Sequence, residues 1–391
     1  MRIAFTLIGG GKGTGGYNYL LNLIRVLCMH EVGNITPVLF LGTDVAPDEA
    51  APFDAVRGVE LVRSSVLNRA RRSRSLAASL LWGADSRLRD LLRLHRIDVV
   101  FESAQFFGWR LGLPVLAWIP DFQHRHLRHM FTQRGYWKRE LGFQAEIAAG
   151  RTIMLSSEDA RRDCERFYPR TVKRTRAVHF AVPPSDPPSL ARARAVADSY
   201  GLPEHFLFMP NQLSKHKNHL LVLEALALLH KRGRDVVVVS TGKQLDERHP
   251  NHFPAVQSKL NALGLQSQFR MLGMIPYVDL PALMRCSVAM LNPSLFEGWS
   301  TSVEEALSLG VPLLLSDLEV HREQAGNSAT YFERHSVESL AEALESANPV
   351  SGPERDQRLQ AALAATEHRV RRFATDFTTV AAECAARRSL R

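Results

Sequence analysis

Short apolar runs alternate with amphipathic stretches along most of this chain. In the first half, Ile3 to Ile8, Pro37 to Leu41, Val59 to Val62, Asp98 to Phe101, Val115 to Ile119 and Ile153 to Ser157 have strand length and no helical spacing. The helix predicted over Tyr17 to Val26 places Tyr19, Leu20, Leu23, Ile24 and the following Leu27 on one face, and helices are also predicted over Leu88 to Leu94 and from Glu158 onward. The second half repeats the rhythm. Phe206 to Met209, Val236 to Ser240, Phe269 to Leu272, Val288 to Leu291 and Val311 to Leu315 read as strands. Helices are predicted over Leu190 to Tyr200, Leu220 to Leu229, Val278 to Met284, Val337 to Leu344, Arg355 to Ala365 and Phe373 to Ala386. Strand, helix, strand in this order builds a parallel sheet covered on both faces, so the expected class is α/β with two Rossmann-like parallel-sheet domains.

The halves part at Val182-Pro183-Pro184-Ser185-Asp186-Pro187-Pro188, a run no helix interior or central strand accepts. Domains are expected over 1–182 and 190–366, with 367–391 as a closing helical segment. A chain of 391 residues can bury two separate cores.

Charge changes the picture more than composition does. Residues 1–180 carry 27 basic and 17 acidic side chains, a net of +10, whereas the remainder carries 22 and 23, a net of −1. The densest piece is Arg63 to Arg74, followed by Leu76, Leu80, Leu81 and Trp82; it suits either docking on an anionic membrane face or a solvated basic helix. Nucleic acid is not an expected partner, because no helix-turn-helix, zinc or aromatic ribonucleoprotein pattern is present. Cys28, Cys164, Cys286 and Cys384 lie far apart, with neither zinc nor disulfide spacing. With a strand at the first residues and no apolar run near the ~20 residues of a membrane span, a cytoplasmic protein is expected, peripheral on the membrane at most.

The chemistry concentrates in Asn292-Pro293-Ser294-Leu295-Phe296-Glu297-Gly298-Trp299-Ser300-Thr301-Ser302-Val303-Glu304-Glu305-Ala306-Leu307. A strand ends at Pro293, Ser300 to Ser302 can cap a helix, and Val303, Ala306, Leu307 and Leu309 give it a buried stripe. A helix N-terminus can hold a phosphate on its free amides, and Glu297 and Glu305 flank this one. Elsewhere, Lys217 stands before a helix within Asn211-Gln212-Leu213-Ser214-Lys215-His216-Lys217, where a cation can neutralise phosphates. Asp121 and His124 follow the strand ending at Pro120 and can bind hydroxyls or assist proton transfer, while Arg125 and His126 read as caps. Gly11, Gly13 and Gly16 match a dinucleotide loop, yet no acidic residue closes the second strand, and Lys12 is followed by Gly13, which excludes a P-loop. An anion-approaching loop and a plain strand-helix turn both remain open there.

Glu297 to Ala306 resembles the two-glutamate signature of retaining GT-B glycosyltransferases, glycosyltransferase family four. That resemblance implies a GT-B fold with two domains facing a cleft and hexosyl transfer from a nucleotide diphosphate-sugar, GDP-mannose being the leading donor. It places the transferred sugar on Glu297, the ribose on Glu305, and the donor among Gly298, Trp299, Ser300 and Thr301. Lys217 matches the family's phosphate-clamp lysine, with Gln212 where the arginine stands and Asn211 beside it. Gly15 and Gly16 resemble glycines facing the diphosphate, and Met274 lies in the region beside the base. Pro120-Asp121-Phe122-Gln123-His124 resembles a sequence of bacterial surface-polysaccharide enzymes, which implies a glycan acceptor, lipid-linked, in O-antigen or capsule synthesis. No two aspartates lie two positions apart, so neither metal nor other cofactor is expected. A sugar-nucleotide epimerase or hydrolase and a non-catalytic partner subunit stay open as alternatives; a dehydrogenase fits least.

Overall fold

The structure, a computed structural model, describes residues 1–7, 15–103, 105–183 and 186–389. It divides into two compact units, one of Met1–Phe122, Thr132–Pro183 and His368–Arg391, the other of Gln123–Phe131 and Pro184–Glu367. Gln123–Phe131 thus groups with the second unit, although the sequence places it in the first domain.

The first unit holds the strands β1 (Arg2–Thr6), β2 (Thr36–Leu41), β3 (Glu60–Arg63), β4 (Val99–Ser103), β5 (Val115–Ile119), β6 (Thr152–Leu155) and β7 (Thr175–Ala177). They form one parallel sheet in the order β3-β2-β1-β4-β5-β6-β7. Alternate residues feed opposite faces. Ala4, Val38, Phe40 and Val100 pack on Leu88 and Leu92, while Phe5 and Phe101 meet Phe377 at ring-centroid distances of 6.1 and 5.8 Å.

The second unit holds β8 (Leu207–Met209), β9 (Val238–Thr241), β10 (Phe269–Gly273), β11 (Met290–Asn292), β12 (Leu313–Ser316) and β13 (Ala329–Phe332), all parallel, in the order β10-β9-β8-β11-β12-β13. Leu207 and Met209 face one helical layer, and Phe206 and Phe208 face the other. Burial on both sides explains why these strands read as unbroken apolar runs. The two-domain α/β architecture expected from the hydrophobic pattern is therefore present.

Several local expectations need correction. The two helices predicted over Arg355 to Ala365 and Phe373 to Ala386 are one helix, Gly352–Ser389, since no glycine or proline interrupts residues 366–372. The edge strands β7 and β13 are additional to the prediction. The helix predicted from Tyr17 starts at Gly15. Gly11, Lys12 and Gly13 lie outside the described residues. From Val178 to Ser189 no described residue belongs to a helix or strand.

Candidate functional site

In the second unit, chain order reverses between β8 and β11: β9 and β10 lie to one side of β8, β12 and β13 to the other. In open α/β sheets ligands bind beyond the carboxyl ends of the strands at such a switch point. The two loops leaving this point are Pro210 to Asn218 and Pro293 to Ser300. They are stitched together by the Leu295 N–H, which donates to the His216 carbonyl at 2.8 Å.

Asn292, fully buried at the end of β11, is the hub. Its Nδ2 donates to Ser300 Oγ at 3.0 Å and to Glu297 Oε1 at 3.5 Å. Its Oδ1 accepts from Ser294 Oγ at 2.6 Å and from Asn211 Nδ2 at 3.5 Å. Glu297 Oε1 also accepts from Lys217 Nζ at 2.5 Å and lies 2.7 Å from Ser294 Oγ, whose single proton is shared between it and Asn292 Oδ1. Lys217 and Glu297 are both largely buried, with side-chain exposures of 17% and 10%. Burial alone would raise the Glu297 pKa; the adjacent ammonium overcomes it and brings the carboxyl down to about 2. Glu297 is therefore an anion at every physiological pH. Behind it His321 is fully buried, its Nδ1 2.9 Å from the Ser316 carbonyl, and burial lowers its pKa.

The helix Thr301–Ser308 opens against this cluster. Ser300 is its N-cap residue, yet the Ser300 side chain does not cap the helix. That hydroxyl is held by Asn292 instead, and among the described residues no side chain is seen to take the first-turn amides, leaving a positive dipole end. Capping by Ser300, expected from the sequence, is thus corrected. Gln324 braces the turn: its Oε1 accepts from Ser300 N–H at 3.2 Å, and its Nε2 donates to the Ser300 carbonyl and Glu304 Oε1, each at 2.9 Å. Glu304 is buried. Glu305, the next residue, accepts from the Tyr277 hydroxyl at 2.9 Å, and burial pushes its pKa up to about 7.

The structure thus gathers Asn211, Lys217, Glu297 and Ser300 around Asn292, with Gly298, Trp299 and Thr301 in the same turn. Gln212 is exposed, and its backbone lies so close to Gly242 that a Cβ there would come within 2.9 Å of it. Met274 is exposed near Tyr277 in sequence. In the first unit, Gly15 and Gly16 open the helix Gly15–His30, and Asp121 pairs with Arg139 at 3.1 Å. His124 is fully buried in the Gln123–Phe131 segment, its ring 6.3 Å from that of Phe131. In that segment His126, read from sequence as a cap, packs on Phe296 at 5.1 Å, next to Glu297. The segment is anchored by Arg248, which donates to Gln123 Oε1 at 2.9 Å, and by His249 Nε2, 3.0 Å from the Met130 carbonyl. Sequence reasoning missed the roles of Asn292, Ser294, Tyr277, Gln324 and His126. Asn292 and Ser294 stood inside the singled-out stretch; the others are distant in sequence and carried no local signal. Among the described residues no group of three or more His, Cys, Asp or Glu side chains is placed to hold a metal ion.

Two Rossmann-like parallel sheets, one with an open helix terminus and a largely buried lysine at its switch point, match the GT-B fold. Its second unit, over residues 198–362, matches the family model described as "Glycosyl transferases group 1". Over 117 residues, 30% of each chain, it is 32% identical to "Glycosyltransferase 1 domain-containing protein 1" of Xenopus tropicalis, so the match spans under a third of that relative's length. Among solved structures, the Anabaena protein HepE in complex with UDP and glucose superposes with a TM-score of 0.67, 14% identity and full coverage of both chains. A trehalose-6-phosphate structure from E. coli bound with UDP-2-fluoro glucose gives 0.65 at 11% identity, covering 98% of this chain and 99% of that one. WaaG, a glycosyltransferase involved in lipopolysaccharide biosynthesis, gives 0.58 at 16% identity, covering 98% of each. The structural likenesses show the GT-B fold, and the family match places a glycosyl transferases group 1 domain over residues 198–362.

Proposed function

We propose that this protein is a retaining hexosyltransferase that takes its sugar from a nucleotide diphosphate-sugar without a metal ion. The observation that carries this reading is the buried Lys217–Glu297 pair beside the open N-terminus of the helix Thr301–Ser308. The helix amides and Lys217 form a fixed positive site for a diphosphate, and Glu297, ionised at about pKa 2, faces the place where positive charge develops on the sugar. As the bond between the anomeric carbon and the diphosphate oxygen breaks, the nucleoside diphosphate leaves as an anion held by Lys217. The acceptor hydroxyl oxygen bonds to the same carbon, and its proton passes to the departing phosphate. Glu297 is a poor general acid at such a pKa; it positions hydroxyls and stabilises charge. Glu305 holds the ribose, and Asp121 and His124 shape the acceptor side.

The donor expected from the sequence is a GDP-sugar such as GDP-mannose. HepE and the E. coli structure hold UDP or a UDP-sugar, which makes uridine the competing base. The acceptor is a glycan hydroxyl, lipid-linked, in surface-polysaccharide synthesis; the likeness to WaaG supports this part. Thermal melting with GDP and UDP identifies the base, because the tighter ligand raises the melting temperature more. Lys217→Ala is expected to cut turnover by about a hundredfold, the scale of one lost electrostatic donor. Unchanged transfer in that variant would sink the assignment, and full activity lost to chelator and restored by metal would overturn metal independence.

A further inference from the structure

In the first unit, the helix Arg72–Leu81 is turned inside out. Its buried residues are Ser75 and Ser79, one turn apart, whereas Leu76, Leu80, Leu81 and the following Trp82 are exposed by 41, 49, 74 and 74%. The Ser79 hydroxyl is buried without a hydrogen-bond partner. A surface helix in water turns its apolar side inward, and this one displays it.

A second aromatic group is presented beside it. The Gly83 carbonyl accepts from the Arg110 N–H at 2.6 Å, and a Cβ on Gly108 would collide with that carbonyl oxygen. Both glycines have positive φ, 87° and 103°, so this close crossing tolerates no side chain at either. The crossing sets the chain at Trp109, itself 41% exposed, against the chain at Trp82. From beneath, the buried Arg151 donates to the Gly108 carbonyl at 2.6 Å and pairs with buried Glu102 at 3.3 Å, and Glu102 accepts from the Phe107 N–H at 2.8 Å. Trp109 therefore stands on a braced loop.

The chain segment that carries this apolar face is basic. Residues 61–84 include Arg63, Arg69, Arg71, Arg72 and Arg74 and no Asp or Glu. Arg69 is tied to Glu49 at 2.8 Å, but Arg72, Arg74 and Arg110 are exposed and form no ion pair among the described residues. A second copy on the same face would bring arginines onto arginines across a two-fold interface. No helix among the described residues is long and apolar enough to cross a membrane.

We infer that this face docks on an anionic lipid bilayer. The helix lies in the headgroup plane with Leu76, Leu80, Leu81 and Trp82 inserted, Trp109 at the interface, and the arginines on lipid phosphates. The inference deepens the reading of a lipid-linked acceptor, and vesicle binding is measured without donor or acceptor, so the two can fail separately. The full chain is sedimented with phosphatidylcholine vesicles with and without phosphatidylglycerol. It pellets only with the anionic vesicles, and high salt releases it. Leu80→Ser with Trp82→Ser, and separately Arg72→Glu with Arg74→Glu, each lower vesicle affinity by about tenfold or more at unchanged melting temperature. Equal binding to neutral vesicles, or binding to neither, overturns the inference. So does a wild-type dimer that the Leu80→Ser, Trp82→Ser variant dissociates while vesicle binding stays absent.

Discussion

Glu297 and Glu305 belong to one short segment, yet burial acts on them with opposite outcomes. Glu297 has an ammonium at 2.5 Å and stays ionised; Glu305 has only a phenol at 2.9 Å and titrates near neutrality. The sign follows from linkage. Glu305 binds its proton more tightly folded than unfolded, so its contribution to stability is complete below its ordinary value of 4.5 and is lost as pH rises through about 7. Denaturant unfolding of the wild type beside Glu305→Gln should show the wild type losing ground across that window; parallel curves would remove the perturbed carboxyl. Lys217→Ala should have a second signature besides lost turnover. It leaves Glu297 buried and uncompensated, at a cost of about 3–5 kcal/mol, and adding Glu297→Gln should recover much of that stability without restoring turnover.

At the scale of elements, the site depends on loops that end strands, and Gly242 is their narrowest point. It follows β9 with φ 126°, and a Cβ there would meet the Gln212 and Asn211 backbones at 2.9 to 3.0 Å. Gly242→Ala should cost about 1–3 kcal/mol through strain and weaken nucleotide binding by displacing the 211–217 loop; calorimetric titration checks both against the wild type. Such long-range fits explain what was legible beforehand. Lys217, Glu297 and Glu305 stand in local patterns of strand, turn and helix, so their neighbourhoods could be read from the chain. Asn292 as hub, Gln324 as brace and His126 on Phe296 depend on partners remote in sequence. The strand Thr175–Ala177 is too short and polar to announce itself. In β13 only Phe332 is buried, so no apolar run marks it. The long closing helix read as two pieces because His368, Arg369, Arg371 and Arg372 interrupt its apolar spacing without interrupting its backbone.

For the whole molecule, the chain builds its two cores out of order. Leu359 packs in the core of the second unit, while Phe373 and Phe377 of the same helix are buried in the first, Phe377 against Phe5 and Phe101. Phe377→Ala should therefore destabilise the first unit by about 3–5 kcal/mol and leave the nucleotide-induced stabilisation of the second unchanged. Unfolding followed with and without nucleotide tests this, since two units of this size need not melt together. The strand β1 is synthesised before the rest of its unit, but an aromatic ring that packs on Phe5, that of Phe377, is added some 370 residues later. The part of the first unit's sheet that Phe377 covers must wait uncovered while the second unit is synthesised, although Tyr19 of the helix Gly15–His30 already stacks on Trp118 of the same face. The growing polypeptide is thus most exposed to chaperones and to aggregation in its older half.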